Sequence, residues 1–266
     1  MNILGIKIDN LSRKDILDKI QFFLQEENPR TISDEKIYGK FHQIATVNPE
    51  FILQAQKDDE FRKILNGCDL SVADGVGIWF AFLRFGKYLK SRMAGIDLMI
   101  EILNLANKNK LSIFLVSHID ALSSWEESRE AILKIYPDLE ISGANLDCHS
   151  GLEPESSHKT QILDASLYQY DCTSISSCKI VFCNFGAPNQ EKFIHSLKSL
   201  ENSKIKLAMG VGGSFDFLTG RIKRAPRCIR KIGLEWLWRF LQEPRYRAKR
   251  IFRAIIIFPI RVLFNF

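Results

Sequence analysis

A chain of 266 residues that is 46 % hydrophobic, 26 % charged and 11 % aromatic can bury a full core, which excludes a disordered or fibrous polymer. Its formal net charge of +6 is unevenly spread. Of 37 Lys and Arg and 31 Asp and Glu, the segment from Arg221 onward holds 13 and two (Glu235 and Glu243), leaving 24 and 29 for the rest. A mildly acidic body with a strongly basic tail calls for an anionic partner: nucleic acid, a phosphorylated ligand or a lipid surface.

In chain order, "ILGIKID" alternates like a strand, and "LSRKDILDKIQFFL" follows with helical spacing behind Ser12 as a cap. The stretch from Glu27 to Lys40 is polar and reads as a loop. A strand from His42 ends at Asn48-Pro49, and a helix is expected from Pro49 to about Leu65. "CDLSVAD" is a short strand broken by Asp74-Gly75, with the helical "VGIWFAFLRFG" after it. "GIDLMIEILNLANKNK" is an amphipathic helix, "LSIFLVS" a buried strand, "ALSSWEESREAILKIYP" a helix and "LEISGA" a strand. Asn145 to about Ser157 is loop-like. "CKIVFCNFG" and "IKLAMGVGG" are two further core strands, joined by the helix "NQEKFIHSLKSL". Strands alternating with helices of this length predict an α/β, Rossmann-like, mainly parallel sheet with helices on both faces. The body is expected over 1–220, with a basic helical appendage over 221–266.

The six cysteines form no C-x-x-C pair and read as reduced thiols, several of them in apolar runs. The N-terminal stretch has no long apolar region behind a basic segment, so no secretory signal is expected. No apolar run is long enough to span a bilayer. The five histidines show no metal-ligand spacing, and there is no G-x-S-x-G elbow or strict D-x-D pair.

Ligands of such sheets bind where the carboxyl ends of the strands lead into the next helices. That rule selects Thr46-Val47-Asn48, Asp74-Gly75, Gly186 to Gln190 and Gly210 to Asp216, all expected on one edge. "GVGGSFDF" is neither G-x-G-x-x-G nor a P-loop, which argues against dinucleotide or triphosphate binding. Its glycines allow backbone N–H groups to approach a phosphate, or they simply make a tight turn. "VADGVG" places a carboxylate at a strand tip, as a general base requires, although Asp-Gly is also a common turn. In "FGAPNQEKF", Asn189 and Gln190 stand near a helix start, where Asn189 fits a cap and Glu191 fits a pairing with lysine.

Taken together and in order, "ATVNPEF", "VADGVGIWFA", "RMAGIDLM", "FGAPNQEKF", "GVGGSFDFLTGRIKRAP" and "GLEWLWRFLQEP" resemble the WecG/TagA/CpsF glycosyltransferases, over about Ile3 to Arg250. The resemblance implies transfer of a sugar such as N-acetylmannosamine from its UDP derivative to an undecaprenyl-diphosphate-linked sugar, in the synthesis of bacterial surface polymers. It further implies inversion, no metal and no cofactor. By motif, Asp74 matches the catalytic base, with Thr46 and Asn48 beside it and Arg92 and Gln190 near the sugar and diphosphate. Gly212, Gly213 and Asp216 match the nucleotide contacts. The family's appendage lends arginines to the pocket at the membrane, which Arg239 matches, with Arg247 and Arg250 as candidates. Two segments depart from the family pattern, both on the donor side: Ser117-His118 replaces small residues of a glycine-rich turn, and "GANLDCHSGLEP" replaces a Gly-Tyr-Phe-like segment.

The tail itself fits a membrane surface. On a helix, Arg245, Lys249 and Arg253 share one stripe while Ile251, Ile255, Phe258 and Val262 share another, with Pro259 expected to kink or end the run. A basic stripe beside an apolar one suits the headgroup layer of an anionic bilayer, the alternative being packing against the body or a second subunit. The expected location is cytoplasmic, peripheral on the inner face of the cell membrane. Two rival readings are a catalytically silent scaffold of polysaccharide assembly and a nucleic-acid-binding module. Against the second, the tail aromatics lie in an apolar helix rather than on a stacking sheet, so no nucleic acid is expected.

Overall fold

A computed structural model describes residues 1–26, 40–147, 172–200, 202–242 and 244–264. The expected loop from Glu27 falls almost wholly outside the described residues, as does most of the one from Asn145 to Ser157. The first alternating stretch does not join the main sheet. Leu4 and Gly5 both adopt positive φ (47° and 80°), which folds β1 (Asn2–Ile3) onto β2 (Ile6–Lys7) as a minimal hairpin. Its alternation still buries Ile3, Ile6 and Ile8.

Six strands form the main sheet: β3 (His42–Val47), β4 (Leu70–Ala73), β5 (Ile113–His118), β6 (Ile141–Leu146), β7 (Ile180–Cys183) and β8 (Leu207–Gly210). All pair in parallel, in the order β4-β3-β8-β7-β5-β6. Every residue of β3, β4, β7 and β8 is buried, as apolar strands covered on both faces require. The last strand but two, β6, runs on to Leu146, so Asn145 is strand rather than loop.

One face carries Ile44, Val72, Leu115, Phe182 and Met209 against α1 (Arg13–Gln25) and α5 (Gly95–Asn109). Ser12 and Asp15 close α1 with a reciprocal capping box. The long helix expected after Pro49 is two helices, α2 (Pro49–Ala55) and α3 (Asp59–Asn66), because Asp58 caps a new start by accepting from Phe61 N. These two and α4 (Val76–Arg84) cover Ala45, Val47 and Ala73 on the opposite face. The helix expected from Ala121 begins only at Trp125, behind a Ser124–Glu127 capping box, giving α6 (Trp125–Leu133). Then follow α7 (Cys172–Ser177), α8 (Asn189–Ser196) and α9 (Ser214–Leu218). In α8 the cap position falls to Pro188 with no side-chain cap bond, so Asn189 is not the cap.

The C-terminal segment forms α10 (Arg227–Lys231), α11 (Glu235–Gln242), α12 (Pro244–Phe252) and α13 (Phe258–Phe264). A π-helical turn over Arg253–Ile257 joins the last two. Pro259 neither ends the run nor breaks it, because the wider turn just upstream absorbs the missing backbone donor. Phe258 and Val262 are fully buried among Val47, Ile52, Ile78 and Phe82. Half of the stripe expected to face a membrane is therefore part of the core.

Candidate active site

Parallel pairing brings the carboxyl ends of all six strands to one edge, and a cleft of about 1720 Å³ opens there. All eleven residues singled out from the sequence line it. Asp74 leaves the tip of β4, where its backbone N–H extends the ladder by donating to Val47 O (2.9 Å). Gly75, at φ 87°, then turns the chain into α4. The carbonyl of Ala73 accepts from Met93 N (3.0 Å), which fixes Arg92 alongside. The Arg92 guanidinium donates from Nη2 to Arg230 O (3.0 Å) in the tail. Gly233 passes so close that a Cβ there would collide with Arg92 Nη1.

Burial pushes the Asp74 pKa up to about 6. The positive charges of Arg239 and Arg92 hold it down, and the negative charges of Glu235 and Asp97 add to the rise. A carboxylate so poised is ionised at neutral pH yet basic enough to take a proton. Thr46 is buried beside it, and a Cβ on Gly95 would sit 3.3 Å from its hydroxyl. Asn48 caps α2 by accepting from Phe51 N at Oδ1 (3.1 Å), which leaves its Nδ2 hydrogens for the cleft.

The glycine-rich loops are braced rather than open. Gln190 Oε1 accepts from Gly186 N (3.1 Å) and Gly212 N (3.0 Å), joining the turns after β7 and β8. Val211 N donates to Cys183 O and Ser214 N to Val211 O, which leaves Gly213 at the cap position of α9. Asp216 accepts from Ser123 Oγ (2.8 Å), which also bonds the Thr219 hydroxyl. The departures from the family pattern are built into the same network. Ser117 Oγ donates to Ser123 O (2.8 Å), His118 N donates to Asn184 Oδ1 (2.8 Å), and Asn145 Oδ1 accepts from Trp125 N (3.2 Å).

The tail closes the cleft with positive charge. Arg239 lies 4.3 Å above the Phe217 ring, its buried Nε without a hydrogen-bond partner among the described residues. Burial holds its pKa below the ordinary guanidinium range, helped by Arg247 and Arg250 and opposed by Glu235 and Asp74. Arg250 makes a bidentate pair with Glu50 of α2, at 2.6–3.0 Å. Arg247 lines the cleft.

Sequence reasoning missed the residues that attach this roof. Arg224 binds Asp97 through two 2.7 Å bonds and Glu235 at 3.3 Å, and so offsets the two acids nearest Asp74. Arg230, which receives Arg92, has a buried Nε without a partner among the described residues. Arg224 sits in the "GRIKRAP" block, Glu235 in "GLEWLWRF" and Arg230 between them, but Asp97 and Arg92 lie more than a hundred residues away. Among the described residues no group of three or more His, Cys, Asp or Glu is placed to hold a metal ion. What the cleft offers is a half-desolvated base at one strand tip, facing guanidinium groups able to receive a polyanion.

The family model described as "Glycosyl transferase WecG/TagA/CpsF family" matches residues 1–266. Three curated relatives carry the name N-acetylglucosaminyldiphosphoundecaprenol N-acetyl-beta-D-mannosaminyltransferase. The protein of Bacillus spizizenii is 32 % identical over 76 % of this chain and 71 % of its own. That of Bacillus subtilis is 32 % identical over 78 % and 74 %. That of Staphylococcus aureus strain MRSA252 is 30 % identical over 91 % and 84 %. The family model over the whole chain and these relatives place the protein in the WecG/TagA/CpsF family, as a hexosyl-transferring glycosyltransferase.

Proposed function

We propose that the chain moves N-acetylmannosamine or a related hexose from a UDP-sugar to a sugar carried on undecaprenyl diphosphate, by a single inverting displacement that needs no metal. The observation that carries this reading is Asp74, a carboxyl at a strand tip with a pKa pushed up to about 6 by burial. Asp74 removes the proton from the acceptor hydroxyl as that oxygen attacks the anomeric carbon from the face opposite the diphosphate. Thr46 and Asn48 orient the acceptor sugar. Negative charge growing on the leaving diphosphate is met by Arg92, Arg239 and Arg247, with the Gly213 N–H beside them. Asp216 contacts the nucleotide.

The acceptor named for the relatives is a lipid, which gives the exposed face of the last helix a role. Opposite the buried Phe258 and Val262, the same run leaves Ile256, Ile260 and Leu263 exposed, flanked by Arg253 and Arg261. No helix among the described residues is long and apolar enough to cross a membrane. This face rests in the headgroup layer of an anionic membrane, each basic residue adding about 1 kcal/mol of attraction.

The test is a lipid-linked acceptor offered with a panel of UDP-sugars, with and without chelator. Transfer that survives the chelator and disappears in Asp74→Asn supports the reading; transfer abolished by chelation overturns the metal-free part. For the membrane, Ile256→Asn with Ile260→Asn is the cleaner variant, because truncating the tail would also strip Phe258 from the core. Loss of co-sedimentation with anionic liposomes is expected, and unchanged sedimentation of the double variant rules out this contact.

A further inference from the structure

Glu191 is a buried carboxyl with no function in the reaction above. It is 1 % exposed, beneath the cleft floor at the start of α8. Its expected lysine is absent among the described residues: Lys192 goes instead to Asp58 and Glu60 of α3. Its carboxylate is met by Gln190, whose Nε2 donates to Glu191 Oε1 (2.6 Å), and by its own backbone N–H. Its other oxygen, Oε2, has no partner among the described residues.

A second orphan stands beside it. Gln43 Nε2 donates to the backbone carbonyl of Glu191 (3.1 Å), and Gln43 Oε1 is buried without a donor. Ser71 Oγ is a third, on the same sheet face, since Ala45 pairs with Ser71 and Gln43 lies two residues before Ala45. An ionised Glu191 would put a buried charge with an unpaired oxygen beside Gln43 Oε1, an acceptor that itself lacks a donor. A proton on Oε2 removes that charge and supplies a donor at this position.

We propose that Glu191 is a positioning residue, a neutral carboxylic acid that fixes the Gln190 amide and through it the Gly186 and Gly212 turns. The argument is geometric. Gln190 Oε1 must face the two backbone N–H groups that it bridges, and a flipped amide would set its NH2 against both of them. Glu191 Oε1 receives the NH2 and so selects the correct orientation. Gly210 leaves the room: a Cβ there would collide with the Gln190 amide and come within 2.7 Å of Glu191 Oε1. Burial accordingly pushes the Glu191 pKa up to about 8. The Gln190 amide and the residue's own backbone N–H oppose that rise without cancelling it. Cys68, from the turn before β4, has its thiol pKa pushed up by burial and stays neutral. On β3, His42 is taken by Glu26 and Asp69.

The inference rests on the proposed transfer for its activity readout, so it also needs a readout that does not. Glu191→Gln keeps the acceptor at Oε1 and puts an amide donor at the second position, whereas Glu191→Ala removes both. The expected result is that Glu191→Gln transfers sugar within about twofold of the parent at pH 7. The parent should lose about tenfold in rate between pH 7 and pH 9 as the acid ionises, and Glu191→Gln should not. In thermal unfolding the unfolded chain releases this proton near pH 4.5 and the folded chain near 8. Glu191→Gln should therefore gain stability over the parent from about pH 5 to 8, and the gap should level off above. A gap that does not change with pH, or a Glu191→Gln variant as impaired at pH 7 as Glu191→Ala, overturns the proposal. A chain that transfers no sugar leaves the stability gap intact, so a failure of the functional reading is told apart from a failure of this one.

Discussion

The two walls of the cleft are held in different ways. The body wall is anchored by the sheet: Asp74, Thr46 and Gln190 sit within one residue of a strand end or helix start, and their backbones belong to ladders and caps. The tail wall is attached mainly through side chains: Arg224 to Asp97, Arg92 to the Arg230 carbonyl, Arg250 to Glu50, and Phe258 and Val262 in the core. A base must be placed to within hydrogen-bond reach of one proton, which rigid strand tips provide. Charge stabilisation falls off more gradually with distance, so a wall of arginines held mainly by side chains suits that task.

Four substitutions test this division. Asp74→Asn has the largest expected effect, a loss of about 10²- to 10⁴-fold in rate with the fold intact. The same change should raise stability at pH 7. The unfolded chain ionises near 3.8 and the folded one near 6, so native stability falls between those values and the asparagine escapes the loss. In the parent, rate should decline tenfold per pH unit below about 6. An unchanged acid limb in Asp74→Asn would assign the base elsewhere.

Phe258→Ala comes next, costing about 3–5 kcal/mol of stability in urea titrations, because the ring is fully buried. A cost below about 1 kcal/mol would show that the tail is not seated in the core. Arg239→Ala should lose about 3–4 kcal/mol of transition-state stabilisation, read as kcat/KM, with little change in unfolding midpoint. A change confined to KM would mean that it serves only to bind. The smallest effect belongs to Arg250→Ala: its pair with Glu50 is half exposed and worth about 1 kcal/mol or less. Glu50→Ala should reproduce it, and the double variant should add nothing. Additive losses would place Arg250 on the substrate instead.

The parallel sheet was legible because buried strands announce themselves by continuous apolar runs, and the four loops followed from where such strands end. That rule and its motif put Asp74 on the cleft edge, where it stands. Gln190 was put there too, but its bonding was not legible: an amide near a helix start gives no hint that its oxygen spans two glycine turns. Glu191 was read as a partner of a nearby lysine, since a carboxylate in a polar sequence context carries no mark of burial.

The tail separates the two kinds of information most sharply. Composition and periodicity alone determined that it is basic, helical and two-faced. They could not assign its apolar residues between core and exterior, because Phe258, Val262, Ile256 and Ile260 are equally hydrophobic and helical spacing is silent about which face meets the body. That was decided by packing over Gly77 and among Val47, Ile52 and Phe82. The upward pKa shifts of Asp74 and Glu191 were likewise decided by tertiary burial, each at its own place in the fold. Local sequence fixes which groups are ionisable, whereas desolvation depends on what residues distant in the chain bring over them.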